Sequence, residues 1–153
     1  MASMKLLIQR VSRGAVRIGG TTVGQIGQGF VVFIGIRAED TLEDARHLAQ
    51  RTASLRIFTD ADQRMNQSLQ DIGGGALVIS QFTLYADTRK GNRPSFIRAG
   101  PPELAASLYA AYIAALREIL GVDRVATGHF GADMEVEIIN DGPVTIAITT
   151  DDP

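Results

Sequence analysis

Phe30-Val31-Val32-Phe33-Ile34 is a run of apolar residues with no polar interruption. An alternating strand would keep one face for water. A continuous run gives up that face, so the segment reads as a strand buried on both sides. A second stretch, Ala76 to Leu84, reads the same way and carries the polar string Ser80-Gln81-Phe82-Thr83 within it. Working outward, Lys5 to Gln9 and Ala15 to Ile18 are strand material, and Gly19-Gly20 makes a tight hairpin into Thr21 to Ile26. Leu55 to Thr59, Val122 to Ala126, Met134 to Ile139 and Val144 to Ile148 are further strands. Asn140-Asp141-Gly142-Pro143 stacks four turn-favouring residues between the last two.

Two helices interrupt this pattern. Thr41 caps the first, with Asp44 at the capping-box position, and Leu42, Ala45, Leu48, Ala49 and Thr52 share one face. Pro101-Pro102 opens the second and Gly121 ends it. Its apolar stripe is Leu104, Leu108, Ala111, Tyr112, Ala115, Leu116 and Ile119. Asp60 to Gly75 reads as a loop. Strands outnumber helices and most pair as neighbours, which predicts a single α+β domain with curved sheets.

The chain has 153 residues, 45% of them hydrophobic, a net charge of −2 and no cysteine. That length predicts one domain. No stretch approaches the ~18 apolar residues of a membrane span. Without cysteine there is no disulfide, thiolate–zinc site or thiol nucleophile, which fits a cytoplasmic protein. The net charge argues against a general nucleic-acid coat while leaving room for a local basic patch. Met4 reads as the natural start, with residues 1–3 vector-derived or disordered.

The usual catalytic sets are missing. There is no Gly-x-Ser-x-Gly elbow and no Walker loop. The only histidines, His47 and His129, lie far apart in the sequence and lack metal-ligand spacing. An enzyme built from this chain would use backbone groups, hydroxyls or the substrate itself; a non-enzyme fits the same absence. Ser80, Gln81 and Thr83 inside an apolar strand require hydrogen bonds, and on spacing alone local bonding to backbone accounts for them more readily than a site does. The stretch from Thr88 to Arg98 holds four cations, Arg89, Lys90, Arg93 and Arg98, interleaved with Gly91 and Phe96. It suits phosphates and a stacked base, or it is an ordinary solvated loop.

Six strings occur in one order: Ile8-Gln9-Arg10-Val11, Met65-Asn66-Gln67-Ser68, Ser80-Gln81-Phe82-Thr83-Leu84, Gly91-Asn92-Arg93-Pro94-Ser95-Phe96, Phe130-Gly131-Ala132-Asp133-Met134 and Asn140-Asp141-Gly142-Pro143-Val144-Thr145. In that order they resemble the D-aminoacyl-tRNA deacylases of the common bacterial and eukaryotic type, over Met4 to about Ile148. The resemblance implies a β-rich α/β/β domain with barrel-like sheets, working as a homodimer without metal or other cofactor. It implies hydrolysis of D-aminoacyl-tRNA, and of glycyl-tRNA, whose achiral residue escapes a chiral filter. Gly142 and Pro143, joined by a cis bond and inserted into the partner's site, would be that filter, supported by Arg10, Asn140 and Asp141. Ser80, Gln81, Phe82 and Thr83 would line the other wall, with the amides of Phe82 and Thr83 stabilising an oxyanion. Arg89, Lys90, Arg93 and Arg98 would contact tRNA.

Overall fold

The computed structural model describes residues 4–151; the expectation for residues 1–3 lies outside them. The strands are β1 (Lys5–Ile18), β2 (Thr21–Ile26), β3 (Gly29–Gly35), β4 (Phe58–Thr59), β5 (Met65–Gln67), β6 (Gly75–Ser80), β7 (Val125–Thr127) and β8 (Glu135–Thr149). The helices are α1 (Leu42–Ser54), the short α2 (Leu69–Ile72) and α3 (Pro102–Leu120). The order β2-β1-β3-β6-β7 is hydrogen-bonded throughout, and β8 lies along β1. β3, β6 and β7 are mutually parallel, while β1 pairs antiparallel with β2, β3 and β8.

The run at Phe30 behaves as its composition demands. Phe30, Val32 and Ile34 face one core with Leu6, Ile8, Ala76, Val78 and the inner faces of α1 and α3. Val31, with Leu77 and Ile79 of β6, faces a second core closed by Val11, Val16 and the partly buried Val23, Ile26, Phe33, Val136 and Ile138. β1 and β8 contribute to both cores because they are long and bend, with register shifts between Gln9 and Arg13. The layers are therefore helices, central sheet and second sheet. The barrel nearly closes where β2 meets β7: a Cβ on Gly24 would fall 2.6 Å from the Thr127 carbonyl oxygen, so only glycine allows this approach.

Several elements differ from their sequence reading. β1 is one strand, not two. The strand from Ala76 ends at Ser80, and Phe82–Tyr85 is a 3₁₀ turn. Tyr85 is fully buried, which draws the chain back inward. Residues 60–75 are structured. Asp60 Oδ1 accepts from the amides of Asp62 and Arg64 and closes the β4–β5 turn. Ser68 and Asp71 form a capping box for α2. Leu55 only ends α1, and Val122–Arg124 is a 3₁₀ turn ahead of β7. Leu42 points outward, whereas Thr52 is buried and shares a 2.7 Å hydrogen bond with the Tyr112 hydroxyl. In α3, Tyr109, Ile113 and Leu120 join the buried face, while Ala111, Ala115 and Ile119 lie at its margin. Asn140–Pro143 does not separate two strands; it lies within the single strand β8. Among the described residues, no helix is long and apolar enough to cross a membrane.

Candidate functional site

β3 and β6 end side by side, Ile34 opposite Ser80. The Gln81 amide extends the pairing by donating to the Ile34 carbonyl at 2.8 Å, and there the chain leaves the sheet. In the following turn the first internal bond runs from Leu84 N–H to Gln81 O, 3.3 Å. The amides of Phe82 and Thr83 precede that bond and stand at the open start of the turn, where no intrahelical acceptor exists. The Gln81 side-chain amide donates to the Thr83 hydroxyl. Thr83 thus has a neutral amide beside it rather than a base that could activate it.

This strand end forms the floor of a cavity of about 760 Å³, within the range of small-molecule sites. Ser80, Gln81 and Phe82 line it, together with Phe96, the Pro101-Pro102 start of α3 and residues 130–134. Its mouth is aromatic. Phe82 and Phe96 meet edge to face at 5.1 Å, and Phe130 packs 5.9 Å from Tyr109. Phe82 is 55% exposed although it is a large apolar residue, which marks a surface suited to a ligand. Among the residues lining the cavity only Asp133 is ionisable.

The β8 segment is built differently. Gln9 faces Thr145 and Val11 faces Asn140, so residues 141–144 stand opposite Arg10 alone and bulge from the ladder. Arg10 is buried. Its Nε donates to the Asp141 carbonyl at 3.0 Å and its Nη1 to the Ile57 carbonyl at 2.7 Å. The Asp141 carboxylate lies 3.5 Å from the same Nε. The Gly142-Pro143 bond is cis. Gly142 has φ +124°, which strains any residue with a side chain, and a Cβ there would come 3.1 Å from Arg10 Nη2, so Arg10 would also have to give way. Asn140, Gly142 and Pro143 are exposed, and neither Gly142 nor Pro143 lines the cavity.

The basic stretch divides in two. Arg89 donates through Nε and Nη2 to the two Asp87 carboxylate oxygens at 2.9 and 2.7 Å. These bonds pull the Asp87 carboxyl down to about 2 and raise the Arg89 guanidinium. Lys90 and Arg93 are exposed on the loop that the Asp87–Ser95 bridge closes, and Arg98 is exposed just beyond it. His47 and His129 are both exposed. Among the described residues, no group of three His, Asp or Glu side chains converges.

A sequence model of the family described as D-Tyr-tRNA(Tyr) deacylase matches residues 7–149. The chain belongs to this deacylase family. Relatives named D-aminoacyl-tRNA deacylase include one from Akkermansia muciniphila, 55% identical over 94% of this chain and 95% of its own. Another, from Shouchella clausii, is 53% identical over 97% of this chain and all of its own. A solved structure described as c-Myc DNA Unwinding Element Binding Protein superposes with a TM-score of 0.89 at 39% identity, covering 94% of this chain and 97% of that one. A second, described as a probable eukaryotic D-amino acid tRNA deacylase, shares the fold with a TM-score of 0.84 at 21% identity, covering 97% of this chain and all of that one. This deacylase-family chain is thus an enzyme of the hydrolase class. The sequence reading tied Phe96 to a stacked base and gave no site role to Phe130, Asp133 or Met134; all four line the cavity. The signal was present, since residues 130–134 are one of the six strings.

Proposed function

We propose that this protein hydrolyses the ester of D-aminoacyl-tRNA, releasing the free D-amino acid and tRNA. The observation that carries this reading is the cavity at the Ser80–Phe82 strand end: apolar and aromatic walls, two amides at the start of a turn, and no base beside Thr83. Such a site suits an acyl transfer whose oxyanion is held by the backbone N–H groups of Phe82 and Thr83. The attacking water is then assisted by the substrate's own terminal 2′-hydroxyl. Fixed amides need no reorganisation as charge develops on the carbonyl oxygen. The aromatic mouth suits the terminal adenosine, and Lys90, Arg93 and Arg98 suit the phosphates behind it.

The chiral filter in this reading is Gly142-Pro143 of a second copy. The segment is exposed and held from behind by Arg10, and it lies outside its own cavity. Its carbonyls would hold the α-ammonium group and leave no room for an L side chain. Asn140 and Asp141 carry the segment's start. Glycyl-tRNA, having no side chain at the α-carbon, would pass the filter. The working form is a cytoplasmic homodimer that needs no metal.

The test is hydrolysis of matched D-tyrosyl- and L-tyrosyl-tRNA by purified protein with EDTA present, followed by glycyl-tRNA. Loss of the D-ester and the glycyl ester alone is the expected result. Survival of the D-ester in folded, dimeric protein would sink the reading. A nucleic-acid-binding dimer is the second reading. It is favoured by the exposed cations and by the name of the 39%-identical structure, a DNA unwinding element binding protein. It requires the basic loop and not the Gly142-Pro143 geometry.

A further inference from the structure

The string Met65-Asn66-Gln67-Ser68 has no part in the cavity, yet it builds a small unit of its own. β4 and β5 form a two-stranded sheet separate from the main one, with Phe58 opposite Gln67. Arg56 locks the two strands across the ladder. Its Nε donates to the Asn66 carbonyl at 2.9 Å and its Nη2 to the Asn66 side chain. Phe58 fixes the unit to the main core by stacking on Phe30 at 5.1 Å with the rings 19° apart. Between Arg56 and Phe58, Ile57 presents its carbonyl to Arg10.

We infer that the β4–β5 hairpin is the positioning element for Gly142-Pro143, acting through the Ile57 carbonyl and Arg10. The inference rests on the chiral-filter reading above. Arg10 has two carbonyl partners, Ile57 on the hairpin and Asp141 in the bulge. A planar guanidinium that donates to both at once fixes the distance between them. Residues 141–144 have no ladder partner. While Val144 packs on the helix-side core, Asp141 at the start of the bulge is held by Arg10, so the projection of Gly142-Pro143 follows where the hairpin holds that side chain. Arg56 and Asn66 are positioning residues in this scheme; they touch neither cavity nor bulge.

The experiment compares kcat and KM on D-tyrosyl- and L-tyrosyl-tRNA for Arg56→Ala, Asn66→Ala, Arg10→Lys and Thr41→Ala. Arg56→Ala and Asn66→Ala alter contacts on an exposed hairpin and leave the cores intact. Each is expected to lower the D/L ratio about five-fold, the size typical of coupling through packed contacts. Arg10→Lys lowers it further, because one ammonium on a flexible stem cannot bridge two carbonyls in fixed geometry. Thr41→Ala removes the α1 cap and costs stability without changing the ratio, which separates positioning from general weakening. A wild-type ratio in both hairpin variants, with Arg10→Lys impaired, overturns the inference and leaves the filter standing. A wild-type ratio in Arg10→Lys as well overturns the inference together with the filter. Wild-type protein inactive on the D-ester overturns the function itself.

Discussion

The turn at Ser80–Thr83 and the bulge at residues 141–144 are the two polar interruptions of apolar strands, and the protein holds them in opposite ways. The turn continues a central strand. Its backbone is tied to Ile34 on one side and into its own 3₁₀ bonds on the other, with Tyr85 buried beneath. The bulge interrupts β8, which pairs only with β1, and Arg10 is the side chain beneath it. The turn is therefore redundantly fixed and presents backbone groups, so changing its side chains leaves its geometry. The bulge depends on one guanidinium and one residue without a Cβ, so small changes there are large.

Inserting one residue beside Gly142-Pro143 makes the sharpest break in this comparison. It should cost activity on the order of a hundred-fold or more, as expected when a contacting group is displaced by about 1 Å or more. Single-turnover rates on D-tyrosyl-tRNA measure it, and retained activity would mean the bulge has no place in the reaction. Next in size, Arg10→Ala should destabilise the fold by about 2 kcal/mol, because the buried carbonyl of Ile57 and the part-buried carbonyl of Asp141 lose their donor. Denaturant unfolding reads this. Replacing Lys90, Arg93 and Arg98 together with alanine should weaken tRNA binding and reduce the log–log salt slope by about three, one for each phosphate contact. Arg89→Ala should change the slope least, since its charge is already matched by Asp87.

Thr83→Ala should keep activity within roughly ten-fold, because the hydroxyl has no base to activate it and the amide is unchanged. Complete loss in a folded variant would transfer the chemistry to the side chain and erase the contrast with the bulge. Smallest is a titration. Asp87 should ionise near 2, since the bonds from Arg89 favour its charged form. Its contribution is present above the ordinary carboxylate range and is lost as pH falls toward 2. In Arg89→Ala, NMR titration should find it back near ~3.9.

The fold was legible where side-chain pattern and backbone state agree. The unbroken run at Phe30 gave a doubly covered strand, and Thr41-x-x-Asp44 gave the start of α1. The same signature, Ser68-x-x-Asp71, stood in the stretch read as a loop, and α2 begins there. The extent of β6 was misread because Phe82 and Leu84 continue the apolar pattern; what ends the strand is the burial of Tyr85 against distant elements, a tertiary effect. The Asn140–Pro143 string looked like a turn because its residues favour turns. Whether the chain reverses or bulges there depends on its partner strand, since β1 accepts β8 on both sides of the interruption. The cavity walls from residues 96 and 130–134 come from loops far apart in sequence, so only the fold unites them.

β3 and β6 divide the interior into two cores, and both strands finish at the cavity. Ile34, from the helix-side core, and Ile79, from the sheet-side core, both line it. The cavity floor is thus a party wall between two interiors. Loosening either one, by heat or by a void left by truncation, reaches the floor within one residue. A reporter ligand seated there would register premelting of either core before the sheet itself came apart, and substitutions selected for thermal tolerance in one core would retune the pocket as a by-product.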